Sequence, residues 1–116
     1  MKRVFIAGPY SADNVIAVLT HIRCGIETAA RLVELGFCPF CSWLDFQLVL
    51  QNPNLSVSSL QRVSMEWLRV SEAVLVLPGW QHSKGALLEL KEAERLGIPV
   101  FESLSDLEHT LSDRGN

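Results

Sequence analysis

Short apolar runs alternate with helix-period segments along almost the whole chain, and that alternation leaves few architectures open. "RVFIA", residues 3–7, ends on "GPY" and reads as a buried strand delivering a tight loop. A helix from Asn14 to Leu35 follows, with Ile16, Leu19, Ile22, Ile26, Ala29 and Val33 at helical spacing and Gly36 as its stop. "FCPFC" gives a second strand, "SWLDFQLVLQ" a short helix capped by Ser42, and "NPNLSVSS" a loop. A helix is expected from Leu60 to Val70 with Trp67 in the core, and "AVLVLP" after it is the clearest buried strand. Another helix occupies much of Gly79 to Gly97, "IPVF" supplies a fourth strand, and Ser103 to Leu111 reads as a closing helix that frays after Ser112.

Strands and helices in this order call for parallel pairing with right-handed crossovers. The expected fold is α/β: a small doubly wound, flavodoxin-like or Rossmann-like parallel sheet of about four to five strands flanked by helices. With 116 residues, 48% of them hydrophobic, residues 1–116 suffice for one compact domain with a real core and are too few for two. The net charge is −3 and the Lys and Arg residues are scattered, so no basic stripe calls for polymeric nucleic acid as a partner. No apolar run approaches the ~20 residues of a membrane span. The segment "MKRVFIAGPY" reaches Pro9 after too short an apolar stretch for a signal peptide, so a cytoplasmic location away from the membrane is expected. Cys24, Cys38 and Cys41 are an odd set, which argues against a disulfide framework. "CPFC" is either a redox motif or a pair of small apolar residues at a strand end, and a lone CxxC is a poor zinc site.

Ligands of doubly wound sheets bind beyond the carboxyl ends of the strands, where strand order reverses. "GPYSADN" and "PGWQHSKG" fall there. The second runs into a helix whose free first-turn amides and positive dipole end suit an anion; Ser83 either adds a hydroxyl to that site or serves only as the N-cap. Gly85 lets a ligand approach the backbone closely. At about 100° per residue, Ala86, Leu90, Ala93 and Gly97 share one stripe, while Lys84, Lys91 and Arg95 lie opposite. Glu89 points to the inward side. A carboxylate there needs a partner or a chemical role, and a ligand anchored at Ser83 would present a reactive carbon to it. The phosphate loop GxxxxGK[ST] is absent, and "AGPY" lacks the GxGxxG of dinucleotide folds.

The combination of "FIAGPY", a helix running into "AVLVLPGW", and "SKGALLE" resembles the nucleoside 2-deoxyribosyltransferase superfamily, including the deoxynucleoside 5'-phosphate N-hydrolases, from Val4 to Val100. Its core is the SxGxxxE pattern of Ser83, Gly85 and Glu89, with Gly8 and Tyr10 in the upstream loop. The resemblance implies that Glu89 attacks the anomeric carbon and displaces the base, giving a glycosyl ester resolved by water or a second base, and that Tyr10 orients Glu89. Where free-nucleoside transferases of this group carry an aspartate, this chain has Ser83, which accepts a 5'-phosphate without repulsion and tilts the expected substrate towards a nucleoside 5'-monophosphate. One departure stands out. The aspartate that helps handle the leaving base is replaced by Ser64 in "RVSMEWL", and serine is no general acid near neutral pH. Asp45 and His82 are the nearest substitutes, if they are not simply exposed loop residues. Trp80 and Trp43 either stack on the base or anchor the core or an interface. No metal or organic cofactor is implied; a homodimer or higher homo-oligomer, the partner completing the site, is. The alternatives are a non-catalytic nucleotide-binding module of the same fold and a CxxC thiol oxidoreductase.

Overall fold

Strand β1 (Arg3–Ala7) is buried from Val4 to Ala7 without alternation, the pattern of a strand covered on both faces. The computed structural model describes residues 1–111; the fraying expected after Ser112 lies outside them. Strands β2 (Cys38–Phe40), β3 (Ala73–Val76) and β4 (Val100–Phe101) join β1 in a four-stranded parallel sheet of order β2-β1-β3-β4. Arg3 lies opposite Cys38 and Phe5 opposite Phe40, while Val4 to Ala7 run beside Ala73 to Val76. The chain leaves β1 towards one side and returns across it to β3, so the loops after β1 and β3 flank the point where strand order reverses.

Helix α1 (Val15–Glu34) begins where Asn14 Oδ1 accepts from the Ala17 amide at 2.8 Å and ends at Gly36, whose φ of +89° only glycine adopts without strain. Of its apolar stripe, Ile22, Ile26 and Ala29 pack against the core, but Ile16, Leu19 and Val33 are more than half exposed. The reason is length: 20 residues of helix span about 30 Å, a five-residue strand about 17 Å, so the helix ends overhang the sheet.

After β2, Ser42–Asp45 form a 3-10 turn leading into α2 (Phe46–Gln51). The expected Ser42 cap is not made; Cys41 holds the cap position and no side chain bonds there. Helix α3 (Val57–Arg69) starts three residues before the expected Leu60, because Ser56 Oγ accepts from the Ser59 amide at 3.1 Å and caps it early. Trp67, expected in the core, is 52% exposed. It stacks on Phe40 at a centroid distance of 5.9 Å, and Phe40 stacks on Phe5 at 5.3 Å. β2 is an edge strand, so the indole caps the end of that aromatic row instead of sinking beneath a further strand. Helices α4 (Lys84–Leu96) and α5 (Leu104–Leu111) complete the described chain.

Each sheet face carries its own core. Val4, Ile6, Leu75 and Trp43 pack with α1 and α5, whereas Phe5, Ala7 and Val74 pack with Leu68 of α3 and Ala86 and Ala93 of α4. Glu92 accepts from both Arg69 and Arg95 and clamps α4 to α3. Among the described residues no helix is long and apolar enough to cross a membrane.

Candidate active site

The loop after β1 is held by contacts that only small residues permit. A Cβ on Gly8 would lie 2.9 Å from Cβ of Leu77, so glycine lets this loop run against the end of β3. Gly79, at φ +90°, brings the second loop against Pro9. The Pro9 carbonyl accepts from Trp43 Nε1 at 3.0 Å, which ties the loop to an indole only 1% exposed. The Tyr10 carbonyl lies 3.1 Å from Nδ1 of His21. A carbonyl can only accept, so Nδ1 carries the proton.

Across the crevice, a 3-10 turn at Trp80–His82 leads into α4. Ser83 is its N-cap, with Oγ accepting from the Ala86 amide at 3.2 Å. The Lys84 and Gly85 amides in this first turn have no intrahelical acceptor. A Cβ on Gly85 would meet nothing within 4 Å: protein packing does not demand glycine, and the space beside it is open. Glu89 stands one turn beyond Ala86 and one turn before Ala93, both buried, and so faces inward with them. Among the described residues none donates a hydrogen bond to its carboxylate. Burial without a partner pushes this carboxyl up from 4.5 to about 8.

These groups line one open cavity of about 1020 Å³. It gathers Gly8, Tyr10, Asp45, Ser64, Ser83, Gly85 and Glu89, with His82 at its side. Burial raises the Asp45 carboxyl above the usual carboxylate range, and the Tyr10 phenol is raised first by burial and then by the negative charge of Asp45. Ser64 is only 4% exposed. The tryptophans are not brought in. Trp43 is part of the first core, and Trp80 packs against the second, so neither turns a ring face to the cavity. The cysteines also stay outside: Cys38 is exposed on β2, and burial raises the Cys41 thiol, the reverse of what an activated thiolate requires.

Several lining residues escaped the sequence reading. Phe46, Val49 and Leu50 of α2, with Val57 and Leu60 of α3, form an apolar wall, and His21 of α1 closes the side near Tyr10. A signal for the wall exists in "FQLVLQ", an apolar helix none of whose residues is buried. His21 sits at a helical position like any other, and only the folded chain puts it beside Tyr10.

One solved structure that this chain resembles is a 2-deoxyribosyltransferase from the psychrotolerant bacterium Bacillus psychrosaccharolyticus, described as a biocatalyst for the synthesis of antiviral and antitumoral nucleosides. The two superpose with a TM-score of 0.60 at 17% identity, over 84% of this chain and 69% of that one, which establishes a shared fold. No curated protein matches at a significant level. A family model described as "Domain of unknown function (DUF4406)" matches residues 2–102. That span contains both loops and every lining residue from Gly8 to Glu89, so the chain belongs to the DUF4406 family and carries the fold of the nucleoside 2-deoxyribosyltransferases.

Proposed function

We propose that the protein is an enzyme that cleaves, or exchanges, the N-glycosidic bond of a nucleoside 5'-monophosphate or deoxynucleotide, with Glu89 as nucleophile. The observation that carries this reading is Glu89 itself: an inward carboxyl without a partner among the described residues, sharing one cavity with Ser83, the first-turn amides of α4 and the open space at Gly85. The amides and Ser83 bind the phosphate, which sets the sugar beside the carboxylate. An oxocarbenium-like centre forming at the anomeric carbon is then stabilised by the carboxylate charge and trapped as an ester. Tyr10, in a loop that Gly8 lets run close against Leu77, and Asp45 line the same cavity, and they contact the sugar and base. The fold shared with a 2-deoxyribosyltransferase is consistent with this chemistry. The attack needs Glu89 ionised, so kcat/KM rises with pH through about 8 in the ligand-free enzyme. The working form is a homo-oligomer in the cytoplasm.

The test is incubation with a panel of nucleoside monophosphates and chromatography for free base. Release by the wild type, lost by at least about 10³-fold in Glu89→Ala, supports the reading. Binding without release, unchanged in Glu89→Ala, would instead make the protein a nucleotide-binding module, a role that Ser64 in place of an acid favours.

A further inference from the structure

Base departure leaves an electron pair on a ring nitrogen, and that nitrogen must find a proton. Ser64, at the wall where an acid is wanted, cannot supply it. The titratable side chains that line the cavity are Tyr10, His21, Asp45, His82, Lys84 and Glu89. Glu89 is needed as a nucleophile, and Lys84 and His82 stand at the phosphate end beside Ser83. Tyr10 and Asp45 share the end occupied by His21. Of these three, only His21 is oriented by a fixed hydrogen bond. Its Nδ1–H is committed to the Tyr10 carbonyl at 3.1 Å. Nε2, on the other side of the ring, has no partner among the described residues and is the atom left for a ligand.

We infer that His21 is the acid that protonates the departing base, a role that rests on the glycosidic reading above. In the first step a Glu89 oxygen forms a bond to the anomeric carbon, the C–N bond breaks, and its electron pair takes the proton from Nε2 of the imidazolium. The ring becomes neutral while keeping its Nδ1–H on Tyr10, so the tautomer left behind has a free acceptor at Nε2. In the second step water bonds to the anomeric carbon, its proton goes to Nε2, and the ester C–O bond returns its electron pair to Glu89. The sum is nucleotide plus water giving base plus sugar phosphate, with both residues restored. The Tyr10 loop thereby has two tasks: it carries its own side chain into the cavity and its carbonyl sets the ring.

The test compares wild type, His21→Gln and His21→Asn on two leaving groups: a natural base, and a nitrophenolate on the same sugar phosphate, which departs without a proton. Both variants keep an amide N–H for Tyr10, and thermal melts verify that they fold. In the first turnover, before hydrolysis of the ester can limit the rate, base release is expected to fall about 10²-fold or more in both, with nitrophenolate release within a few-fold of wild type. Equal first-turnover losses on both leaving groups would make His21 a structural residue and overturn the inference, as would unchanged base release. If the wild type releases no base, the glycosidic reading falls and takes this role with it; if Glu89→Ala is dead while the His21 variants are not, only the role of His21 falls.

Discussion

A carboxyl raised by burial from 4.5 to about 8 keeps its proton in the folded chain over a range in which the unfolded chain has already lost it. Between those two values the native state binds more protons, so stability declines as pH climbs through the window and levels off above it. Water reaching the cavity trims the effect, which leaves a penalty on the order of 3 kcal/mol above pH 8. Glu89→Gln keeps the shape without the charge. It is expected to be inactive yet more stable than wild type by about 2–4 kcal/mol at pH 8.5, the gap closing near pH 4.5, as measured by urea denaturation at the two values. A gap of equal size at both would remove titration as its cause. Glu89 was legible in the sequence because helical periodicity alone sets it among small inward residues. The tryptophans were not, since a buried core indole and a stacking platform are spelled by the same letter, and His21 depends on a tertiary contact no spacing announces.

At the scale of elements, Gly25 shows why a helix can carry a residue its propensity opposes. A Cβ there would lie 2.3 Å from Cδ2 of Trp43, so α1 gives up helix propensity to seat the indole. Gly25→Ala, which would gain about 1 kcal/mol in an exposed helix, is expected to lose about 1–3 kcal/mol here by overpacking, read as a fall in Tm. A rise in Tm would mean that the indole shifts without cost. The order and type of elements were legible, because strands buried on both faces appear as unbroken apolar runs. Boundaries were less so. The serine-rich stretch before α3 offers several hydroxyls as caps, and only the fold selects Ser56; at Ser42 a 3-10 turn replaces the helix start and leaves nothing to cap.

For the whole molecule, the doubly wound topology followed from the alternation of strand and helix, but the sequence did not say which apolar surface stays uncovered. Val63 and Trp67 on α3 and Val70 at its C-terminal cap remain 50%, 52% and 51% exposed, and Trp67 stacks on Phe40 of edge strand β2. An edge strand flanked by apolar side chains favours pairing with another copy. Sedimentation equilibrium is expected to give a dimer or larger, and Trp67→Glu to weaken association by about tenfold or more. A monomeric wild type at tens of micromolar, or an unchanged mass in the variant, would rule out this face.

The bond from Trp43 to Pro9 has a consequence for warming. Because the indole N–H ties the rim of the crevice to the hydrophobic interior, slackening of side-chain packing there is expected to reach the cavity before any strand separates. If the cavity takes the proposed nucleotide, its affinity is then a thermometer of the interior, expected to fade at temperatures where circular dichroism still reports an intact sheet.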